Sequence, residues 1–220
     1  MARDVTDLNT WPSAVSMGLN VIQRLALHTA LTQQVALIQG PPGTGKTYVG
    51  RDIITALLDN SHVWRDDGCP VVVICMTNMA LDQFLEGVLK TTDKIIRFGN
   101  QCTSPLLAPY TLSSRKEQTL QDIRSKKKKT FSDYEDCVMR MNSARRQVTT
   151  FRDKLRSNLN GSWIQQYSEA VGKYNRIKSE AECALCRTAK VIGLTSTGAA
   201  ARRSMLQLLR PKIGWLQFIV

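Results

Sequence analysis

No apolar run in this sequence approaches the roughly 18 residues that a membrane-spanning helix needs. The opening residues, MARDVTDLNTWPS, also lack the apolar stretch of a secretory signal. Both absences argue against a membrane partner and lead us to expect a nuclear or cytoplasmic protein. Histidine is scarce: His28 and His62 are the only two, and neither lies near a cysteine pair. The cysteines Cys69, Cys75, Cys102, Cys137, Cys183 and Cys186 are irregularly spaced, which argues against a disulfide framework. Cys183 and Cys186 form one C-x-x-C, but a structural zinc site takes four ligands and no second pair accompanies them. They read as two thiols on a helix. Acidic residues give out early, since no Asp or Glu follows Glu182.

What is present suits a globular chain. With 43% hydrophobic and 22% charged residues, the composition is ordinary for a folded domain and unlike that of a disordered one. A length of 220 residues allows one substantial core with a smaller appendage. The net charge is +12 and unevenly placed: residues 1–110 carry −1, residues 111–187 carry +8 and residues 188–220 carry +5. Such a surplus attracts polyanions, and here it belongs to the second half of the chain.

Short apolar runs bounded by turn residues predict buried parallel strands at Val35–Gln39, Val71–Cys75, Ile95–Phe98, Val191–Thr195 and Leu216–Val220. Between them, Val49, Ile53, Ile54, Leu57 and Leu58 recur at helical spacing over Thr47–Asp59, as do Leu81, Phe84, Leu85, Val88 and Leu89 further on. Two βαβ units result. The segment Asn60–Pro70 reads as a polar, exposed loop.

From about Ser113 to Arg187 glycine nearly disappears. Tyr134, Cys137, Met141, Ala144, Val148, Phe151 and Leu155 alternate at three and four, the seam of a helix packed along a partner. Ile164, Tyr167, Val171, Tyr174, Ile177 and Ala181 give that partner its apolar stripe. Ser132 with Glu135 and Ser162 with Gln165 fit capping boxes, and Asn158–Gly161 fits the turn between the arms. The pattern predicts an antiparallel helical hairpin with arms of roughly 25 residues, about 40 Å each. Lys126–Lys129 can be a solvated face, a nuclear-localisation patch or a phosphate-binding strip. Arg145, Arg146, Arg152, Lys154 and Arg156 space their charge more regularly and favour a basic stripe facing nucleic acid.

The segment Gly40, Pro41, Pro42, Gly43, Thr44, Gly45, Lys46, Thr47 fits G-x-x-x-x-G-K-[ST]. Gly43 and Gly45 let the backbone curl so that N–H groups can point at phosphate oxygens, and the helix that follows adds its dipole. Lys46 is the expected ligand of the β- and γ-phosphates of ATP, and the Thr47 hydroxyl the expected ligand of magnesium. A phosphate loop alone does not say what work the nucleotide drives.

Its neighbours narrow the choice. Gln23 in GLNVIQRLALHTAL, the wording LIQGPPGTGKT, the stretch ICMTNMALDQFLEGVL (74–89) and the stretch VIGLTSTGAA (191–200) together resemble superfamily-one helicases of the up-frameshift type. With TYVG after the phosphate loop, the chain most resembles the helicase region of NFX-type zinc-finger-containing proteins, a group linked to antiviral sensing and RNA-directed silencing. Met76 and Met79 depart from the aromatic and histidine favoured there, and Val21-Ile22 replaces polar residues before Gln23. The resemblance implies an α/β, RecA-like P-loop NTPase core formed by residues 1–110 and 188–220. Its parallel sheet would be flanked by helices and carry the hairpin 111–187 as a stalk-like insertion. It also implies that Gln23 reads adenine and that Thr77, Asn78, Thr195, Ser196 and Thr197 touch the backbone of RNA, or of DNA.

Hydrolysis in such motors needs an acidic pair after a buried strand. WLQFIV (215–220) suits that strand, but no acid accompanies it and the second motor domain is absent, so the chain alone is expected to be inactive. Two readings stand: the ATP-binding portion of an ATP-dependent helicase, or a nucleotide-gated nucleic-acid-binding module without hydrolysis. An AAA-type assembly ATPase is a third.

Overall fold

The computed structural model describes residues 7–65, 68–125, 132–157, 161–210 and 216–218. Four parallel strands, β1 (Val71–Cys75), β2 (Ile95–Arg97), β3 (Val191–Thr195) and β4 (Leu216–Phe218), form one sheet in the order β2-β3-β1-β4. All of β1 and the first four residues of β3 are buried, because helices cover both sides of the sheet. The pleat sorts the side chains. Val71, Val73, Cys75, Ile95 and Val191 meet α2 (Lys46–Asp59) and α4 (Asn78–Val88) through Ile54, Leu58, Leu81, Phe84, Leu85 and Val88. Val72, Ile74, Ile96, Ile192 and Leu194 meet the other layer, built from α5 (Leu112–Arg124), α6 (Ser132–Ser157), α7 (Gly161–Cys186), α8 (Ser196–Ala201) and α9 (Arg203–Leu209). The α/β sandwich is therefore three layers deep.

Gly193 lets the layers approach. A Cβ there would lie 2.7 Å from Leu85 Cδ1 and 2.9 Å from Leu81 Cδ1, closer than real contacts allow. On the flank, α1 (Val21–Thr32) packs on α2 through Leu27, Val49 and Ile53.

The strand expected at Val35–Gln39 is not formed. Val35 and Leu37 are 88% and 92% exposed, and no described strand pairs with the segment. An apolar run becomes a strand only when a ladder takes its N–H and C=O groups, and β4, at that end of the sheet, pairs with β1. Smaller corrections follow from packing. The Asn60–Pro70 loop contains a short helix, α3 (Ser61–Trp64), and its last two residues, Cys69 and Pro70, are buried as they enter β1. β2 ends at Arg97, although the Phe98 N–H still donates to the Gly193 carbonyl at 2.8 Å. Of the run Leu216–Val220, residues 219–220 lie outside the described residues.

The two long arms, α6 and α7, contain 26 residues each, which corresponds to about 39 Å. They run antiparallel: Phe151 meets Trp163 at one end with ring centroids 6.2 Å apart, and Arg140 pairs with Glu180 at 3.0 Å toward the other. Trp163, not Ile164, enters the seam, and Ile164 is half exposed. Helix α7 begins one residue before Ser162, which therefore does not cap it. Instead Ser162 Oγ accepts from Gln166 Nε2, while Gln165 Nε2 donates to Glu169. Ser132 is likewise already helical. Residues 158–160 of the expected turn and Lys126–Lys129 lie outside the described residues. The base of the hairpin belongs to the main core, where Tyr134, Cys137, Ala181 and Cys183 join the sheet residues. Buried Glu182 ties α7 to α5 through Lys116 Nζ at 2.9 Å and to Arg202 at 3.6 Å. Cys183 and Cys186 are both buried on α7. No cluster of three or more potential metal ligands occurs among the described residues, and no described helix is long and apolar enough to cross a membrane.

Candidate nucleotide and nucleic-acid site

The phosphate loop leaves Gly40 and enters α2 at Lys46, with Gly45 as the cap residue. Gly43 and Gly45 hold φ angles of 81° and 83°, in the left-handed region that glycine adopts without penalty. The loop is closed by its own groups. Lys46 Nζ donates to the carbonyls of Gly40 and Pro41 at 2.9 and 3.0 Å, and Thr44 Oγ1 donates to Pro41 O at 2.9 Å. Pro41, Pro42, Gly43 and Thr44 are exposed, and a Cβ on Gly43 would meet nothing within 4 Å. Thr47 follows in the first turn of α2, half-buried.

These residues fit a triphosphate with magnesium. Open space lies over Gly43, a helix N-terminus stands behind it, and the Lys46 ammonium is satisfied only by neutral carbonyls, which charged phosphate oxygens outcompete.

Gln23 reaches the same loop. Asn20 and Gln23 form a capping box at the start of α1: Gln23 N–H donates to Asn20 Oδ1 at 2.8 Å, and Gln23 Oε1 accepts from Asn20 N–H at 3.0 Å. Gln23 Nε2 donates to Thr44 O at 3.0 Å. A Cβ on Gly45 would stand 2.5 Å from that nitrogen, so the glycine makes room for the contact. To read a base, the Gln23 amide must exchange these partners.

Across the sheet, parallel pairing of β1 and β3 sets Cys75 beside Thr195, so the two hydroxyl-rich segments emerge side by side. Each begins a helix. Thr77 Oγ1 accepts from Ala80 N at 3.1 Å to cap α4, and Thr195 Oγ1 accepts from Gly198 N at 3.1 Å to cap α8. The Thr195 and Thr197 hydroxyls are 3.2 Å apart, and Ser196 Oγ donates to Cys75 O at 3.4 Å, bridging the segments. Burial alone pushes the Cys75 thiol up to about 11.

The phosphate loop opens toward the same end. Helices α2 and α4 run side by side in one direction, with Arg51 against Gly87 and Thr55 Oγ1 3.2 Å from Thr91 Oγ1, so their N-termini share one edge of the sheet.

Sequence reading missed the residues that hold this edge. Arg97 is fully buried and pairs through Nε with Asp82 Oδ1 at 2.9 Å. Its other nitrogens donate to Asn78 Oδ1, Gln101 O and Phe98 O, each at 2.9 Å. Asp82 Oδ2 accepts from the Thr103 N–H at 2.9 Å and from its hydroxyl at 3.2 Å. Asn78 Nδ2 donates to Gln101 Oε1 at 2.9 Å, which leaves that side chain engaged on both atoms. The available signal was Asp82 standing among Leu81, Phe84 and Leu85 on the apolar side of its helix, since a charge in that position needs a partner.

Fold and loop together define a P-loop NTPase. The chain belongs to the AAA domain family, whose profile matches residues 18–215. It is also similar to the NFX1-type zinc finger-containing protein 1 of Mus musculus, with 48% identity over 114 residues, 50% of this chain and 6% of that protein. Another relative is the "Helicase required for RNAi-mediated heterochromatin assembly 1" of Schizosaccharomyces pombe, 34% identical over 49% of this chain and 10% of its own length. The ATP-dependent helicase upf1 of the same yeast is 29% identical over 84% of this chain and 17% of its own length. The chain thus spans a small part of these relatives, and its resemblance to the helicase region of superfamily-one proteins holds.

Proposed function

We propose that this chain is the ATP-binding portion of an ATP-dependent RNA helicase. In this reading, nucleotide bound at Gly40–Thr47 is coupled to a nucleic-acid backbone held at Thr77, Asn78 and Thr195–Thr197. Lys46 leaves the Gly40 and Pro41 carbonyls for phosphate oxygens, Thr47 offers its hydroxyl to magnesium, and Gln23 turns its amide to adenine. Bound ATP supplies a γ-phosphoryl group whose cleavage drives such motors. The observation that carries the reading is the shared end: parallel α2 and α4 with paired β1 and β3 put the phosphate loop and both hydroxyl segments at the same end of the sheet's strands. Small movements of the loop can therefore reach the strand-binding hydroxyls through rigid elements.

The test is titration with a fluorescent ATP analogue in the presence of magnesium. Lys46→Ala should weaken binding roughly tenfold or more, since a charge-assisted phosphate contact is lost, while the unfolding midpoint stays within error. Equal affinity in the two proteins would end the proposal. Binding of single-stranded RNA and DNA, with and without ATP, then tests the coupling.

A further inference from the structure

We infer a second single-stranded RNA contact, a basic groove on the outer face of α7 that grips the sugar-phosphate backbone away from the Thr77 edge. It rests on the RNA-binding reading above and extends it to residues that no motif marks.

Between α7 and α9 lies a groove of about 750 Å³ lined by Asn175, Arg176, Ser179, Arg187, Gln207 and Arg210, among others, with no carboxylate among the described residues of its walls. A second groove of about 670 Å³, between α6 and α7, brings in Arg140, Lys173 and Glu169. The two meet at Gly172 and Arg176, which line both. Arg65 Nη2 donates to the Arg187 carbonyl at 3.2 Å, and Cys69 Sγ lies 2.9 Å from Leu209 O. Those contacts fix one end of the trough beside the N-terminal ends of the strands, opposite Thr77 and Thr195.

Two backbone features point to a ligand. Gly172 sits in the middle of α7, where glycine costs about 1 kcal/mol relative to alanine. Packing does not require it, because a Cβ there would meet nothing within 4 Å. A glycine at the junction of two grooves keeps the floor low, so that a chain of linked groups can pass close to the helix. The second feature is Arg210, which holds φ 46° at the C-cap of α9, a left-handed position where glycine or asparagine is usual. There the backbone favours a small residue and the chain carries a guanidinium.

The chemistry of the walls favours RNA over an acidic peptide. Arginines fit phosphate oxygens bidentately, and the amides and hydroxyls of Asn175, Ser179, Ser204 and Gln207 suit ribose hydroxyls and base edges. A peptide site would need apolar anchor pockets, whereas the described residues of the α7–α9 groove include one large apolar side chain, Leu208.

The full 220-residue chain is titrated against a short fluorescein-labelled oligouridine and against a labelled oligoglutamate, across a salt series. Arg176→Gln with Arg210→Gln should weaken oligouridine binding roughly tenfold and lower the log–log salt slope by about two. Gly172→Leu should weaken it severalfold with an unchanged slope and an unfolding midpoint equal to wild type or higher, because the helix gains propensity and nothing is crowded. Wild-type affinity in both variants overturns the groove. So does loss of oligoglutamate binding with oligouridine binding intact. Thr77→Ala with Thr195→Ala separates the two claims. If that variant alone loses RNA, the groove falls and the motor reading stands. If the groove variants alone lose RNA, the groove stands and the Thr77 edge falls; if wild type binds no RNA, both fall.

Discussion

At the Thr77 edge the polar groups are tied by a guanidinium buried to 0% exposure, whereas in the phosphate loop they are tied by solvent-facing carbonyls, one ammonium and one amide. Both regions lie at the same end of one sheet. The first is preorganised: Arg97, Asp82, Asn78, Gln101 and Thr103 satisfy one another, and removing Arg97 or Asp82 leaves the other charge buried without its partner. The second is exchangeable, since each of its internal bonds can be replaced by one to a phosphate or a base without leaving a buried group unpaired. In the proposed reading this division gives the nucleic acid a fixed seat and the nucleotide an adjustable grip.

The largest expected effect breaks the fixed side. Arg97→Met leaves the Asp82 carboxylate buried without its cation and should cost about 3–5 kcal/mol in urea unfolding. Adding Asp82→Leu should recover much of that loss, and a double mutant no better than the single would show that the knot is not the cause. Next comes the adjustable side. Gly45→Ala forces a left-handed alanine at about 1–2 kcal/mol and disturbs the curl that aims the loop's N–H groups at phosphate, so affinity for an ATP analogue should fall more than stability does. The smallest effect reports on the seam between them. An unfolded cysteine ionises near 9.0, whereas buried Cys75 keeps its proton to about 11. Stability should therefore fall as pH rises through that window, because the unfolded chain releases a proton that the folded chain retains. Cys75→Ala should make the decline shallower, the remainder belonging to buried Cys137 and Cys186, whose thiols burial also pushes up, measured by urea unfolding at stepped alkaline pH.

Legibility followed burial. β1 and β3 were predicted to the residue because fully covered parallel strands are unbroken apolar runs with turn residues at both ends. The helices behind the phosphate loop and after Thr77 were legible from spacing alone, as were the two long arms. Val35–Gln39 has the composition of a strand, yet composition cannot supply the neighbour that a ladder requires. Ile164 and Trp163 are adjacent on α7, and only the packing of α6 against it decides which of them enters the seam.

The sequence by itself determined the phosphate loop, because its chemistry is local: glycines, a lysine and a threonine within eight consecutive residues need no distant partner to be recognised. It also determined the α/β class, through runs whose period is a property of the chain. Tertiary structure alone decided that Arg97 finds Asp82, that Gln23 reaches Thr44, and that three arginines and a bare glycine share one groove. Those depend on which surfaces meet, and the pairing of residues far apart in sequence is set by the packing of whole layers.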